Sequence, residues 1–548
     1  MSRAIHPGAR EAEAMAEMDA TRIGAGARFA LVGLFLLACL AGATAEVARV
    51  ARGGASRLLG EGAAGMPGFS ELRELVRERG ASAANRRVAS ALAALETRIG
   101  QESALADALR PAAQAWLTRA LRYGNTQVLV GRDGWLFYQD ELEAVVGPGF
   151  LEPRYLAARR AGRGPHPGGA PDPLPALADF AAQLARRGIA LVVVPIPPKV
   201  SIEADHLRPR LADRRGRLRN PSIERFRRRL ESEGIAVFDP TPGLVELAIA
   251  GTDPFLRADT HWSPAGMDRV ARDLARFLRP RFGLADEPLG TFSRRAAAAQ
   301  RAGDLARLLG LSGSGLLPET IELAAVRDPS GAPFAADRTP EAPVLLLGDS
   351  FSTVFARTPG VEGGAGFADQ LSYHLGLPVA SHAQEGAVGL QLVPSLAASR
   401  LASARVVIYE LAERLLAIGD WPPVELPAVA AAPRSAVATG PRPVTVRVVR
   451  VAAIPDPARS PYADALLALE VELPPAAGGG RALLYGWAYR DRRLAPAAAT
   501  RAGATQLWRL RPWGEVEGDL GATQRLELEG AEWRSLPVYW GEPQDETR

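Results

Sequence analysis

The 548 residues carry 61 acidic against 65 basic side chains and are 47% hydrophobic, which gives room for more than one core. A single cysteine excludes a disulfide framework and any zinc site built on thiolates. The formal charge of +4 is spread over interspersed acids and bases, which argues against a nucleic-acid partner and suits an anionic polysaccharide better.

Residues 1–28 read as a cytoplasmic amino terminus. Residues 29–45 form an uncharged, largely apolar stretch preceded by Arg22 and Arg28, expected to be a transmembrane anchor or signal segment in the inner membrane. Ala43-Thr44-Ala45 also has the small-residue form of a signal-peptidase site, so cleavage stays open; either way the rest of the chain is expected in the periplasm. Cys39 lies inside this stretch. Residues 46–120 are rich in Ala, Arg, Leu and Glu. Apolar side chains recur at helical spacing at Leu72, Leu75 and Val76, then at Val88, Leu92, Leu95 and Ile99. This is a helical neck or a packed flank of the domain that follows.

Strands and helices alternate over residues 121–420. Thr126 to Val130 and Trp135 to Tyr138 flank Gly131-Arg132-Asp133-Gly134, a β-hairpin whose Trp and Phe are expected in the core. The Gly/Pro-rich residues 161–175 make a surface loop. Helical stretches near 174–187, 221–234, 264–279, 366–376 and 389–402 interleave with apolar strands near 189, 235, 343, 378 and 404, which predicts a parallel sheet with helices on both faces. Among 65 Lys and Arg the sole lysine is Lys199, just past a strand; it is either a compact charge kept for a site or a solvated loop residue. Residues 421–443 carry repeated Pro and Ala, a linker by composition. Residues 444–548 alternate in four half-buried runs, predicting a small antiparallel β domain.

Two motifs carry the chemistry. Asp259-Thr260-His261 precedes Ser263-Pro264, a helix start with Ser263 as N-cap, and Gly348-Asp349-Ser350 follows the apolar strand ending at Leu347. A serine hydroxyl becomes a nucleophile when an imidazole takes its proton and a carboxylate fixes that imidazole's tautomer. Parallel strands present reactive groups at their carboxyl ends, where Ser350 falls. His374 and His382 follow Ser350 and are the rivals to His261; Asp349 is expected to shape the turn. Trp262 lines an acceptor groove or packs against the helix. No paired-histidine metal spacing, phosphate loop or dinucleotide fingerprint is present, so no metal and no cofactor are expected.

Taken in order, residues 131–138, Pro195 to Lys199, Asp259-Thr260-His261-Trp262 and Gly348-Asp349-Ser350-Phe351 resemble the SGNH-hydrolase-like domain of alginate O-acetyltransferases of AlgX/AlgJ type, over roughly residues 120–420. The resemblance implies an SGNH-hydrolase-like α/β fold with permuted motif order. It also implies transfer of acetyl through an acetyl-serine onto hydroxyls of an exported or cell-wall, alginate-like polysaccharide. Ser350 would be nucleophile, His261 base and Asp259 its orienting carboxylate. The donor would come from a membrane-bound O-acyltransferase. Ordinary SGNH enzymes hold the oxyanion with an Asn, yet residues 405–414 contain none; the Ser350 amide and Gly386 are the candidate donors. Lys199, Trp262 and Arg414 are candidates for substrate binding. In this family a carboxyl-terminal β module can bind carbohydrate, and Trp487, Trp508, Trp513, Trp533 and Trp540 are either sugar platforms or core aromatics. A carbohydrate acetyl esterase and a non-catalytic glycan-binding scaffold are the alternatives.

Overall fold

The computed structural model describes, short internal gaps apart, residues 26, 29–35, 44, 68–89, 104–427 and 442–544. The chain divides into two units, Met1–Trp116 and Leu117–Arg548. In the first, the helix Phe69–Arg79 carries Leu72, Leu75 and Val76 at the expected spacing; Leu92, Leu95 and Ile99 lie outside the described residues. No helix among the described residues is long and apolar enough to cross a membrane, which overturns the membrane anchor expected at 29–45 and the inner-membrane attachment drawn from it. Residues 29–35 are helical and exposed, but seven residues rise only about 10 Å. Apart from Thr44, the rest of that stretch lies outside the described residues.

The second unit is built on a parallel sheet. Its strands are β3 (Ala190–Ile196), β4 (Ala236–Val237), β7 (Val344–Gly348), β8 (Val379–Ala383) and β9 (Val406–Ala412), in the spatial order β4-β3-β9-β7-β8 with every neighbouring pair parallel. The period of two divides each strand between two cores. Val192, Val194, Leu346 and Ile408 enter one; Leu191, Val193, Leu345, Leu347 and Val407 enter the other. Helices Pro264–Arg281 and Phe367–Leu375 cover the first face through Met267, Val270, Leu274, Phe367 and Leu371, and helices Pro173–Ala185 and Ile223–Ser232 cover the second through Leu177, Phe180, Phe226 and Leu230. Ser263 caps the first of these helices, its hydroxyl accepting from the Gly266 amide at 3.1 Å. Of the helix expected over 389–402, Ala398–Ala402 and a 3-10 turn at Val393–Ser395 form.

Two hairpins flank the sheet. The expected one pairs β1 (Val128–Val130) with β2 (Leu136–Tyr138) and buries Trp135 and Phe137. The other was not anticipated: β5 (Ser293–Ala302) pairs antiparallel with β6 (Pro318–Arg327) over ten residues. Its first strand, rich in Ala and Arg, has helical propensity. The partner strand overrides that propensity by burying Ile321, Leu323 and Ala325 on one face. Trp421, Val424 and Leu426 join the second core, and residues 428–441 lie outside the described residues.

Residues beyond 441 form a closed β-barrel in place of the simple antiparallel domain expected. β10 (Arg442–Val451), β11 (Ala465–Leu473), β12 (Gly480–Arg490), β14 (Thr505–Pro512) and β16 (Val538–Pro543) pair in the ring β12-β16-β14-β10-β11-β12; β13 (Arg493–Leu494) and β15 (Arg525–Leu526) attach outside it. Five strands cannot alternate direction all the way round, so one seam must be parallel, and it is the β12–β16 pair. Trp508, Trp513, Trp533 and Trp540 are buried in the barrel core and Trp487 packs against it, so these are core aromatics and not an exposed sugar platform.

Lys199 ties the first hairpin to the loop carrying Asp259. It has no exposed surface, and its ammonium donates to the carbonyls of Leu136 (2.6 Å), Arg257 (2.9 Å) and Asp259 (3.0 Å) while lying 4.9 Å from the Trp135 ring. Burial pushes its pKa down to about 8, against the pull of Asp259 and Glu141. Three donors on one point charge match three converging carbonyls, which a planar guanidinium does not. Lys199→Met should lower stability by about 3 kcal/mol or more by orphaning buried carbonyls, and Lys199→Arg should fail to restore it, read as shifts in urea midpoint.

Candidate active site

The carboxyl ends of β7, β8 and β9 and the loop before Ser263 converge on one cleft of about 540 Å³, lined by His261 and Ser350 together. Gly348 ends β7 where a side chain has no room: a Cβ there would lie 2.3 Å from Ser352 Oγ and 2.6 Å from Glu410 Oε2. Asp349 then shapes the turn as anticipated. Its Oδ1 accepts from the Phe351 amide (2.9 Å) and its Oδ2 from the Ala412 amide (2.7 Å), pinning the turn to the end of β9. Ser350 opens a short helix, Ser350–Thr353.

The imidazole is held from one side. His261 Nδ1 lies 2.6 Å from Asp259 Oδ1, and since a carboxylate accepts only, Nδ1 carries the hydrogen and Nε2 keeps its lone pair. Nε2 is buried and has no hydrogen-bond partner among the described residues. Asp259 Oδ2 accepts from Arg301 Nε at 2.9 Å. Burial alone would raise this carboxyl, but the Arg301 guanidinium and His261 outweigh it and hold Asp259 well below the usual carboxylate range. Asp304 accepts from the Thr260 amide (2.8 Å) and its hydroxyl; burial and the neighbouring Asp259 raise its carboxyl.

The other anticipated residues divide. Trp262 is fully buried, edge-on to Phe351 (5.3 Å) and tilted on Phe367 (4.9 Å), so it fixes the His261 loop to the Ser350 turn and does not line the cleft. Lys199 likewise sits beneath the site. Gly386 lines the cleft with φ +67°, and a Cβ there would fall 1.9 Å from Gln524 Oε1 of the barrel. Arg414 lines it too, donating to Glu141 Oε1 at 3.0 Å. His374 pairs with Asp268 (2.8 Å), and His382, buried and pushed down to about 3 chiefly by that burial, contacts Leu392 and Ser395; neither lines the cleft.

Sequence reasoning missed Arg301, Asp304, Glu385, Glu410 and Tyr462. A signal existed for Glu410, a carboxylate inside the apolar strand β9, at the point where an Asn was sought. It is fully buried, and its Oε2 accepts from Ser352 Oγ (2.6 Å) and the Asp349 amide (3.3 Å). Burial, then the Asp349 carboxylate, push its pKa well above 4.5. The native state therefore keeps a proton that the unfolded chain has lost, and this contribution is full below pH 4.5 and is lost as pH rises through the folded pKa. Glu410→Gln, which mimics the protonated acid, should flatten that fall, about 1.4 kcal/mol per pH unit within the window, in urea unfolding measured at pH 5 and pH 8.

The family profile described as "SGNH hydrolase-like domain, acetyltransferase AlgX" matches residues 128–413. The "Probable alginate O-acetylase AlgJ" of Pseudomonas aeruginosa is 29% identical over 189 residues, covering 34% of this chain and 42% of that protein. Its counterpart in Pseudomonas fluorescens is 28% identical over 278 residues, covering 48% and 61%. The chain thus spans about half the length of these relatives. The solved O-acetyltransferase domain of Pseudomonas putida AlgJ is 23% identical with a TM-score of 0.41, covering 54% of this chain and 93% of that one. Pseudomonas aeruginosa AlgX is 16% identical with a TM-score of 0.38, covering 67% and 84%. With the profile matched over more than half of its length, the chain belongs to the SGNH-hydrolase-like AlgX/AlgJ family.

Proposed function

We propose that this protein transfers an acetyl group through Ser350 onto hydroxyls of a polysaccharide, with His261 as general base and Asp259 as its orienting carboxylate. The observation that supports it best is an imidazole whose Nδ1 is fixed on a carboxylate and whose Nε2 is left unpartnered in the cleft that Ser350 shares. In the first half, Nε2 takes the Ser350 hydroxyl proton as Oγ attacks the acetyl carbonyl of a donor ester; the tetrahedral intermediate then expels the donor alcohol, which receives that proton from the imidazolium. In the second half, an acceptor hydroxyl gives its proton to Nε2 and attacks the acetyl-serine, returning Oγ with a hydrogen.

The Ser350 amide heads its short helix and makes no hydrogen bond among the described residues, which suits a donor to the oxyanion; Gly386 in the same cleft is the second candidate. Arg301 acts through Asp259 as a positioning residue. The acetylase names of the AlgJ relatives are in keeping with this chemistry. An esterase would use the same groups with water as acceptor.

Incubation with an aryl acetate should label Ser350 with one acetyl, seen by intact-protein and peptide mass spectrometry, and added oligosaccharide should divert the acetyl from free acetate to sugar. Ser350→Ala should abolish labelling, and Asp259→Asn should lower turnover by about 10⁴-fold. An unlabelled Ser350 in the unsubstituted chain sinks the proposal; label lost only as acetate favours the esterase.

A further inference from the structure

The cleft has two sources. Besides the catalytic residues, the barrel supplies Tyr462 and Asp464 from the segment before β11, and Gln524 from the segment before β15. Tyr462 is braced: its amide donates to Ser460 Oγ at 3.2 Å, and that oxygen accepts from the hydroxyl of Tyr489, a barrel core residue, at 2.8 Å.

Charge in the cleft is unevenly committed. Arg301 is held by Asp259 (2.9 Å), Arg414 by Glu141 (3.0 Å) and Arg357 by Asp337 (2.6 Å), while Arg307 donates to the Ala302 carbonyl (2.9 Å). A uronate entering here would have to draw Arg301, Arg414 or Arg357 from a carboxylate already paired with it, or Arg307 from the Ala302 carbonyl. Glu385 is the opposite case. It lines the same cleft and has neither a hydrogen bond nor an ion pair among the described residues. The Tyr462 hydroxyl has no hydrogen-bond partner among them either. Half-buried in the cleft wall and without a protein partner among the described residues, these groups stay open to solvent and to a ligand's hydrogen bonds.

We propose that Glu385 and the barrel-borne Tyr462 form the acceptor subsite, and that the sugar they take is uncharged rather than a uronate; this rests on the acetyl-transfer reading above. A sugar diol offers the O–H donors that a carboxylate accepts, and a sugar ring face matches a phenol ring. A uronate would bring a second negative charge against Glu385 and Asp464. Burial raises the Glu385 carboxyl, and His261, Arg301 and Arg307, which line the same cleft, pull it back.

The test is equilibrium binding by calorimetry to the full chain carrying Ser350→Ala. The ligands are xylo-, cello- and chito-oligosaccharides set against mannuronate and galacturonate oligomers of equal length. A neutral oligomer should bind more tightly than any uronate. Adding Glu385→Gln, with the thermal midpoint kept, should weaken the neutral ligand about tenfold and strengthen the uronates, and Tyr462→Ala should weaken the neutral ligand as well. Tighter uronate binding, indifference of the neutral ligand to Glu385→Gln, or no neutral oligomer binding overturns the proposal. Failure of acetyl transfer itself would show separately, as an unlabelled Ser350 in the unsubstituted chain given aryl acetate.

Discussion

One buried carboxylate organises the active end of this protein. Asp259 is shared between His261 Nδ1 and Arg301 Nε, and its backbone carbonyl receives one of the three Lys199 bonds. An isolated carboxylate so buried would be protonated; with a guanidinium on one oxygen and an imidazole on the other it stays ionised. The ionised form accepts from Nδ1, and this leaves the lone pair on Nε2. The hairpin β5–β6 has its local purpose here, since Arg301 lies on β5 and Asp304 follows its end.

The serine side is fixed by separate means. Gly348 admits Ser352 and Glu410 at distances a side chain would occupy, and Asp349 bonds the turn to β9. Phe351, beside Ser350, packs 4.9 Å from the His261 ring and edge-on to Trp262. Apolar packing thus sets the spacing of the two polar arms, and close-packed side chains allow that spacing little play. Glu410 stands where an oxyanion-holding Asn was sought, but its hydrogen bonds face inward to Ser352 and Asp349, so it supports the turn from behind.

The barrel is more than an appendage. Gln524 abuts Gly386, and Tyr462 reaches the cleft that Ser350 lines, so both parts of the second unit contribute to its walls. The barrel tryptophans fill its own core, and it is segments between strands, not a sheet face, that line the cleft.

The parallel sheet and its helices were legible because strand and helix periodicity, N-caps and glycine turns are local signals: β3, β7, β8 and β9 fall where apolar runs predicted them, and Ser263 caps the helix it precedes. Asp259, His261 and Ser350 were legible as candidates because each sits in a short motif; the fold pairs the first two and brings His261 and Ser350 to the same cleft. The Ala-rich β5 was not, since its conformation is imposed by a partner strand; nor were Arg301, Glu385 and Tyr462, whose places in the cleft depend on how segments distant in sequence come together. Lys199 was noticed for being the sole lysine, yet only folding made it a buried clamp. Barrel closure follows from the pairing of β12 with both β11 and β16, which alternation within a strand cannot encode. Local sequence determines which elements form; long-range pairing and burial decide which charges end up facing one another, because desolvation and Coulomb energies belong to the neighbours a residue acquires on folding.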